Sequence, residues 1–361
     1  MEEQIENKIL IVITDQNEEN RLGGVYNFYM DLEPLLEKNY MYHSLNNDRM
    51  LFKNKIFTSL VHFVRMAITL SKTDYACLVL NCSLNFNAVL RDSVFVIIAK
   101  ICNTKVLVFW HGWDFNHEKF LRFPYSPLTR FLLKSNSAIV LYSGITKSLR
   151  NLGYTNPVHQ LTTLVRKSAF RYKKADSNQE DTFNLIFFSR VEAYKGIYEL
   201  IEAYEILKKK YPNFILTIVG DGSESTRVAS LVKAKNLKDV IIPGYVVGDE
   251  KFNLLSKASA FILPSYTEGF PVAVIEAMAV GLPVIVTPVG GINDFFIDKL
   301  MGSLIAIKDV DSIVEKVEQL YLNSAKRDAI SEYNLNYAKE NFMDEMVFSK
   351  LKKIIITSTT D

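Results

Sequence analysis

Short runs of Val, Ile, Leu and Phe alternate along the chain with longer stretches of helical periodicity. In the first half the runs are KILIVIT (8–14), YACLVLN (75–81), KVLVFWHG (105–112) and AIVLYS (138–143). In the second half they are FNLIFFS (183–189), FILTIVG (214–220), DVIIPGYV (239–246), AFILPS (260–265) and PVIVT (283–287). A run that is apolar without alternation predicts a strand covered on both faces, and helices between such strands predict parallel β-α-β units. The polar stretch RYKKADSNQEDT (171–182) divides the two series. The pattern predicts an α/β chain of two doubly wound domains, over 1–170 and 183–340, joined by a linker at 171–182. A C-terminal helix over 341–361 is expected to pack back towards the first domain.

Composition adds limits. With 361 residues there is room for two domains, and 48% apolar content excludes global disorder. Lys and Arg number 42 against 40 Asp and Glu, which argues against nucleic acid as the main partner. The three cysteines, Cys77, Cys82 and Cys102, have no metal-ligand spacing and read as reduced thiols. No segment has the apolar length needed to span a bilayer. The start, MEEQIENKILIVITD, is acidic and then briefly apolar, which reads as a first strand rather than a secretory signal. A cytoplasmic location is expected.

In doubly wound sheets ligands bind beyond the carboxyl ends of the strands, so the residues that follow each strand are the candidates. Gly23 and Gly24 precede the helical pattern VYNFYMDLEPLLEK; there they serve either a tight turn or the approach of an anion to free N–H groups. His111 ends the run KVLVFWHG and is followed by Gly112, Trp113 and Asp114; it is either a packing residue or a group at the mouth of an interdomain cleft. Arg190 and Lys195 flank a strand end and a helix start. A bidentate fork and a point charge placed there suit a diphosphate, the alternative being two solvated charges. Asp221 and Gly222 follow FILTIVG, and Tyr245 and Val246 follow DVIIPG.

The stretch TEGFPVAVIEAMAVGLPV (267–284) poses the sharpest question. Pro271 suits the first turn of a helix, Gly281 and Pro283 its end, and VAVIEAMAV between them is apolar on nearly every face. An ionised Glu276 in such a helix costs several kcal/mol unless donors meet it. A ribose cis-diol supplies two, one for each carboxylate oxygen. Glu268, in the loop ahead of the helix, is placed to meet another part of the same ligand.

This stretch resembles the E-G-F-P and E-A-M-A-x-G-x-P-V signature of the retaining glycosyltransferases of family 4. SRVEAYKG resembles their G-R-x-x-x-x-K-G segment, with Ser189 in place of glycine, and IVGDGSE, GYV, LPSYTEG and VGGIND follow in the family's order. The resemblance is specific over about 183–300 and weaker in the first half, where LGGVYNFY and FWHGWD carry it. It implies the GT-B fold, two Rossmann-like domains whose parallel sheets face across a cleft, with acceptor binding in the first domain and the nucleotide sugar in the second. It implies that Glu276 holds the ribose hydroxyls, and that Glu268 faces the donor sugar with main-chain groups around Gly269, Phe270 and Pro271. Arg190 and Lys195 would clamp the diphosphate, Gly24 and Gly222 would lie against the donor, and Tyr245 and Val246 would line the base pocket. His111 would approach the sugar from the first domain. No cofactor and no metal is expected; the donor would be a UDP- or GDP-sugar. LTTLVRKSAF (161–170) departs from the family's Asn-Gly-Val-Asp.

The resulting expectation is a metal-independent retaining hexosyltransferase. It would move a sugar from a nucleotide-diphosphate donor to a hydroxyl of a glycan or lipid-linked glycan, in bacterial cell-surface polysaccharide synthesis. A GT-B epimerase, a phosphorylase and a non-catalytic polysaccharide-binding subunit are the alternatives. Charge adds one more partner. From His111 to Lys174 there are 11 basic residues opposed only by Asp114 and Glu118, and RMLFKNKIFTSLVHFVRMAITLSK (49–72) mixes five more with aliphatic side chains. The second stretch is either a core helix with a solvated basic face or part of a surface for anionic membrane.

Overall fold

The computed structural model describes residues 8–13, 24–36, 38–45, 55–122, 126–173 and 182–360. The chain divides into two compact units, residues 1–163 with 347–361, and residues 164–346.

In the first unit the strands are β1 (Lys8–Ile13), β2 (Tyr40–Ser44), β3 (Tyr75–Ser83), β4 (Lys105–Gly112), β5 (Ser137–Val140) and β6 (Val158–Gln160). They form one sheet in the order β2-β1-β3-β4-β5-β6, parallel throughout. Ile9 to Ile13 and Val106 to Phe109 are buried, as strands covered on both faces require. Residues of the helix Asp344–Thr360 complete this unit: Lys105 Nζ donates to Thr359 O (2.9 Å), and Ser137 bonds Ser358 (2.7 Å). The three cysteines are free, and burial pushes the Cys77 thiol up to about 12.

In the second unit β7 (Phe183–Phe188), β8 (Phe214–Val219), β9 (Val240–Gly244), β10 (Ala260–Leu263), β11 (Val284–Val286) and β12 (Gly302–Leu304) form a sheet in the order β12-β11-β10-β7-β8-β9, also parallel. The order reverses between β7 and β10, so the loops after these two strands open at a topological switch point.

Three strands lie outside the predicted set: β2 (YMYHS), β6 (VHQ) and β12 (GSL). One predicted strand differs in character. β9 is an edge strand, with Ile241 49% and Ile242 36% exposed, rather than covered on both faces; Pro243, which cannot donate to a ladder, is tolerated there. The second unit begins at Leu164, ahead of the polar stretch 171–182, of which residues 174–181 lie outside the described ones. Val165 forms a bridge with Met343 and donates to Phe342 O (2.8 Å), and Lys167 N–H reaches Asp344 Oδ2 (3.1 Å), so this short segment is tied to the end of its own unit. Among the described residues no helix is long and apolar enough to cross a membrane.

Candidate functional site

The loops after β7, β8 and β10 are stitched together by short bonds. After β7, Val191 N–H donates to Asp221 O (3.0 Å) and Val191 O accepts from Glu224 N–H (3.1 Å). Glu192 accepts from Ser223 N–H (3.1 Å) and Oγ (2.6 Å), which holds its carboxyl below the usual range. A Cβ on Gly222 would lie 2.4 Å from Val191 O, so only glycine allows this approach. The Gly222 N–H donates to Asp221 Oδ1 (2.8 Å) and Ser225 Oγ (2.8 Å), so this expected binding residue spends its donor within its own loop.

Lys195 ends a tight turn, Ala193–Lys195, ahead of the helix Ile197–Lys210. Its Nζ is 2.6 Å from Glu268 Oε1, and both side chains are less than a tenth exposed. The same Glu268 oxygen accepts from Ser265 Oγ (2.6 Å). The carboxylate thus has two donors fixed by β10 and the turn after β7, which defines its orientation and offsets the cost of burying it. The loop that carries Glu268 is braced from the next one. Gly291 N–H donates to Gly269 O (2.7 Å), and a Cβ on Gly290 would lie 2.1 Å from Glu268 O.

Arg190 is exposed and donates to Tyr194 Oη (2.7 Å), while the Tyr194 ring lies 5.4 Å from Lys195 Nζ. Tyr194 therefore connects the two cations that the sequence places side by side, one at the rim and one buried.

Gly269 is open: a Cβ added there would meet nothing within 4 Å, so its main chain is approachable. Phe270 turns its ring inward onto Phe295 (5.4 Å) and Phe342 (6.1 Å), so only its main chain is left for a ligand. Pro271 is the cap residue before the helix Val272–Ala279 rather than part of its first turn. Glu276 is 8% exposed in that helix, as its apolar neighbours predict. Its carboxylate meets a protein cation that the sequence does not signal: Lys251 Nζ lies 2.5 Å from Oε1. Tyr245 is half exposed and Val246 buried, so the turn after β9 offers one aromatic face outward and anchors itself with the next residue.

In the first unit, His111 sits at an irregularity. Cys82 pairs with Trp110 and Ser83 with Gly112, so His111 is the extra residue of a bulge, a device that re-aims a side chain at the end of a strand. Its Nε2 lies 2.9 Å from Asn81 Oδ1, which also accepts from Tyr29 Oη (3.0 Å), while Asn81 Nδ2 donates to Val12 O (2.8 Å). Since that oxygen is an acceptor, Nε2 carries the proton and Nδ1 has the lone pair. Burial beside Phe28, Tyr29 and Phe109 pushes the imidazole down to about 3, so it is neutral at physiological pH. Gly24 is the first residue of the helix Gly24–Leu32; Gly23 and the rest of the loop 14–23 lie outside the described residues.

Comparison with known proteins bears on the fold and on the second half of the chain. A Haemophilus influenzae protein named as an uncharacterized glycosyltransferase is 36% identical over 134 residues, 36% of this chain and 37% of that protein. The capsular polysaccharide biosynthesis glycosyltransferase CapM of Staphylococcus aureus is 25% identical over 179 residues, 49% of this chain and 47% of CapM. The chain thus spans about half the length of these relatives or less. Among solved structures, Anabaena HepE in complex with UDP superposes with a TM-score of 0.78 at 16% identity, covering 97% of this chain and 100% of HepE. A glycosyltransferase from Rickettsia africae gives 0.76 at 17% identity over 98% of this chain and 99% of its own. The likeness runs through both sheets, so the fold is the GT-B fold. Residues 169–337, which hold Arg190, Lys195, Glu268 and Glu276, match the sequence model of the glycosyl transferases group 1.

Proposed function

We propose that the protein is a retaining, metal-independent hexosyltransferase that uses a UDP- or GDP-sugar and glycosylates a hydroxyl of a glycan or lipid-linked glycan in cell-surface polysaccharide synthesis. The observation that carries the reading is the buried Lys195–Glu268 pair with Arg190 at its rim, set at the switch point of the sheet. In glycosyl transfer the bond from the anomeric carbon to the diphosphate oxygen breaks as positive charge gathers on the sugar. Lys195 and Arg190 stabilise the departing diphosphate, which is the largest electrostatic demand of the step. The acceptor oxygen bonds to the anomeric carbon from the leaving-group face, and its proton passes to the released diphosphate, so configuration is kept and charge balances. Glu268, held by Lys195 and Ser265, is placed to accept from donor-sugar hydroxyls. HepE, whose fold this chain shares, binds UDP and glucose, and CapM serves capsular polysaccharide synthesis.

The test needs no known acceptor. Screening UDP-, GDP-, dTDP- and ADP-sugars for a rise in melting temperature identifies the donor. Slow transfer to water in EDTA should then release the sugar first as the donor's own anomer, read by NMR. An inverted first anomer would refute retention, a strict need for Mg²⁺ would refute metal independence, and no shift with any donor would overturn the reading.

A membrane-presented acceptor has support in the first unit. The helix Lys55–Lys72 turns Thr58, His62, Met66 and Leu70 inward and leaves Phe57, Leu60, Val64 and Ile68 between 46% and 55% exposed. Its outer face therefore combines apolar side chains with basic ones. It holds no acidic residue, and Arg65 and Lys72 are exposed along it. An apolar stripe with only basic charges suits anionic lipid, where each Lys or Arg contributes about 1 kcal/mol. The protein should co-sediment with phosphatidylglycerol vesicles at low salt and less with neutral ones. The double variant Leu60→Glu, Val64→Glu should lose this at an unchanged melting temperature. Equal sedimentation of wild type and variant would exclude the stripe as the docking face.

A further inference from the structure

Lys251 follows the turn after β9, on the helix Asp249–Ser256. Its ammonium is 2.5 Å from Glu276 Oε1, with the two side chains 19% and 11% exposed. Surface pairs such as Lys167–Glu345, at 66% and 44%, are far wetter. The Nζ also lies 4.9 Å from the Phe252 ring centre and 5.8 Å from that of Phe188, the last residue of β7. Phe252 in turn stacks on Tyr172 (5.8 Å). Lysine loses much side-chain freedom when fixed, and an ion pair needs no such enclosure to be tolerated on a surface. The position of Lys251 therefore invites a role in binding.

A carboxylate can only accept a hydrogen bond and an ammonium can only donate one, whereas a hydroxyl does both. We propose that Lys251 contributes to specificity for ribonucleotides, its ammonium donating to the 2′-hydroxyl while Glu276 accepts from the 2′,3′-diol. This rests on the reading of Glu276 as the ribose ligand. Removing the 2′-hydroxyl deprives the ammonium of its ligand partner and the carboxylate of one of its two. Sites built to bond a hydroxyl reject analogues that lack it far more strongly than apolar pockets reject a missing methylene.

The test is calorimetric titration of UDP, GDP and their 2′-deoxy counterparts into wild type, Lys251→Met and Lys251→Arg, with melting temperatures as the control for folding. Wild type should favour the ribonucleotide by about 10-fold or more, the scale of a hydrogen bond to a charged group. Lys251→Met should lower the ratio by about 3-fold or more, mainly by loosening the ribonucleotide, with Glu276 keeping the remaining preference, and Lys251→Arg should keep most of it. Lys251→Gln offers the same comparison if the methionine variant does not fold. An unchanged ratio in Lys251→Met, even with both affinities lower, would reduce Lys251 to a structural partner of Glu276. Tighter ribonucleotide binding by Lys251→Met would mean that the lysine competes with the ribose; either result overturns this proposal alone. Failure of all four nucleotides to bind wild type would overturn the donor site itself, and this assignment with it.

Discussion

Lys195→Ala is expected to lower turnover by on the order of 10²-fold or more, as loss of a charge-stabilising donor in a transition state does. It should also destabilise the fold. Glu268 is 8% exposed in its side chain, and without Lys195 its bonded oxygen keeps, among the described residues, Ser265 Oγ as its donor. Removing one partner of a buried ion pair costs roughly 3–5 kcal/mol, because the charge left behind stays desolvated. The two effects separate when the double variant Lys195→Ala, Glu268→Gln is compared with Glu268→Gln alone. A neutral amide has no charge to bury, so melting temperature should recover in part while turnover stays low. Recovery of turnover together with stability would mean that the first loss was one of folding, not of diphosphate stabilisation. Arg190→Ala is the milder case structurally, since the side chain is exposed and its guanidinium donates to the hydroxyl of Tyr194 rather than to a buried carboxylate. Its turnover loss should combine less than additively with that of Lys195→Ala, since the proposed function has both cations acting on one diphosphate.

The sheets are legible in the sequence wherever a strand is covered on both faces. KILIVI, FILTIV and AFIL announce themselves because burial on both sides removes nearly every polar residue from the run. The strands that escape notice lack that pressure. β2 and β6 are the edges of their sheet, and YMYHS and VHQ accordingly carry polar side chains. β12 is also an edge, and its Gly302, at φ 144°, approaches Val284 O too closely for any Cβ, so its one signal reads as a turn. At the site, Glu276 stands out because an apolar helix makes a carboxylate conspicuous. Its cation does not, since Lys251 lies on the helix DEKFNLLS, where charges are ordinarily solvated. The pairing of Lys195 with Glu268 is hidden for another reason: 73 positions separate them, and only the parallel alignment of β7 beside β10 brings the loops together. The helix Lys55–Lys72 shows the limit of periodicity. A repeating pattern reports that two faces differ without saying which is covered, and here the inward one includes Thr58 and His62.

Glu276→Ala is expected to weaken nucleotide-sugar binding by on the order of 10²-fold while the fold survives, in contrast to the loss of Lys195. The carboxylate offers two acceptor oxygens to a cis-diol, and hydrogen bonds to a charged group are each worth about 1.5–3 kcal/mol. What remains after truncation also differs. Lys251 keeps 19% of its side chain exposed, and a flexible four-carbon stem lets its ammonium swing to water, an escape closed to Glu268. Alanine in turn suits the helix interior better than glutamate suits an apolar surrounding. The melting temperature without ligand should therefore stay close to that of wild type, and the rise produced by a saturating donor should nearly vanish. Measuring both curves at one donor concentration decides the matter, because stabilisation by a ligand follows its affinity for the folded state. Equal donor-induced shifts in variant and wild type would remove Glu276 from the ribose site.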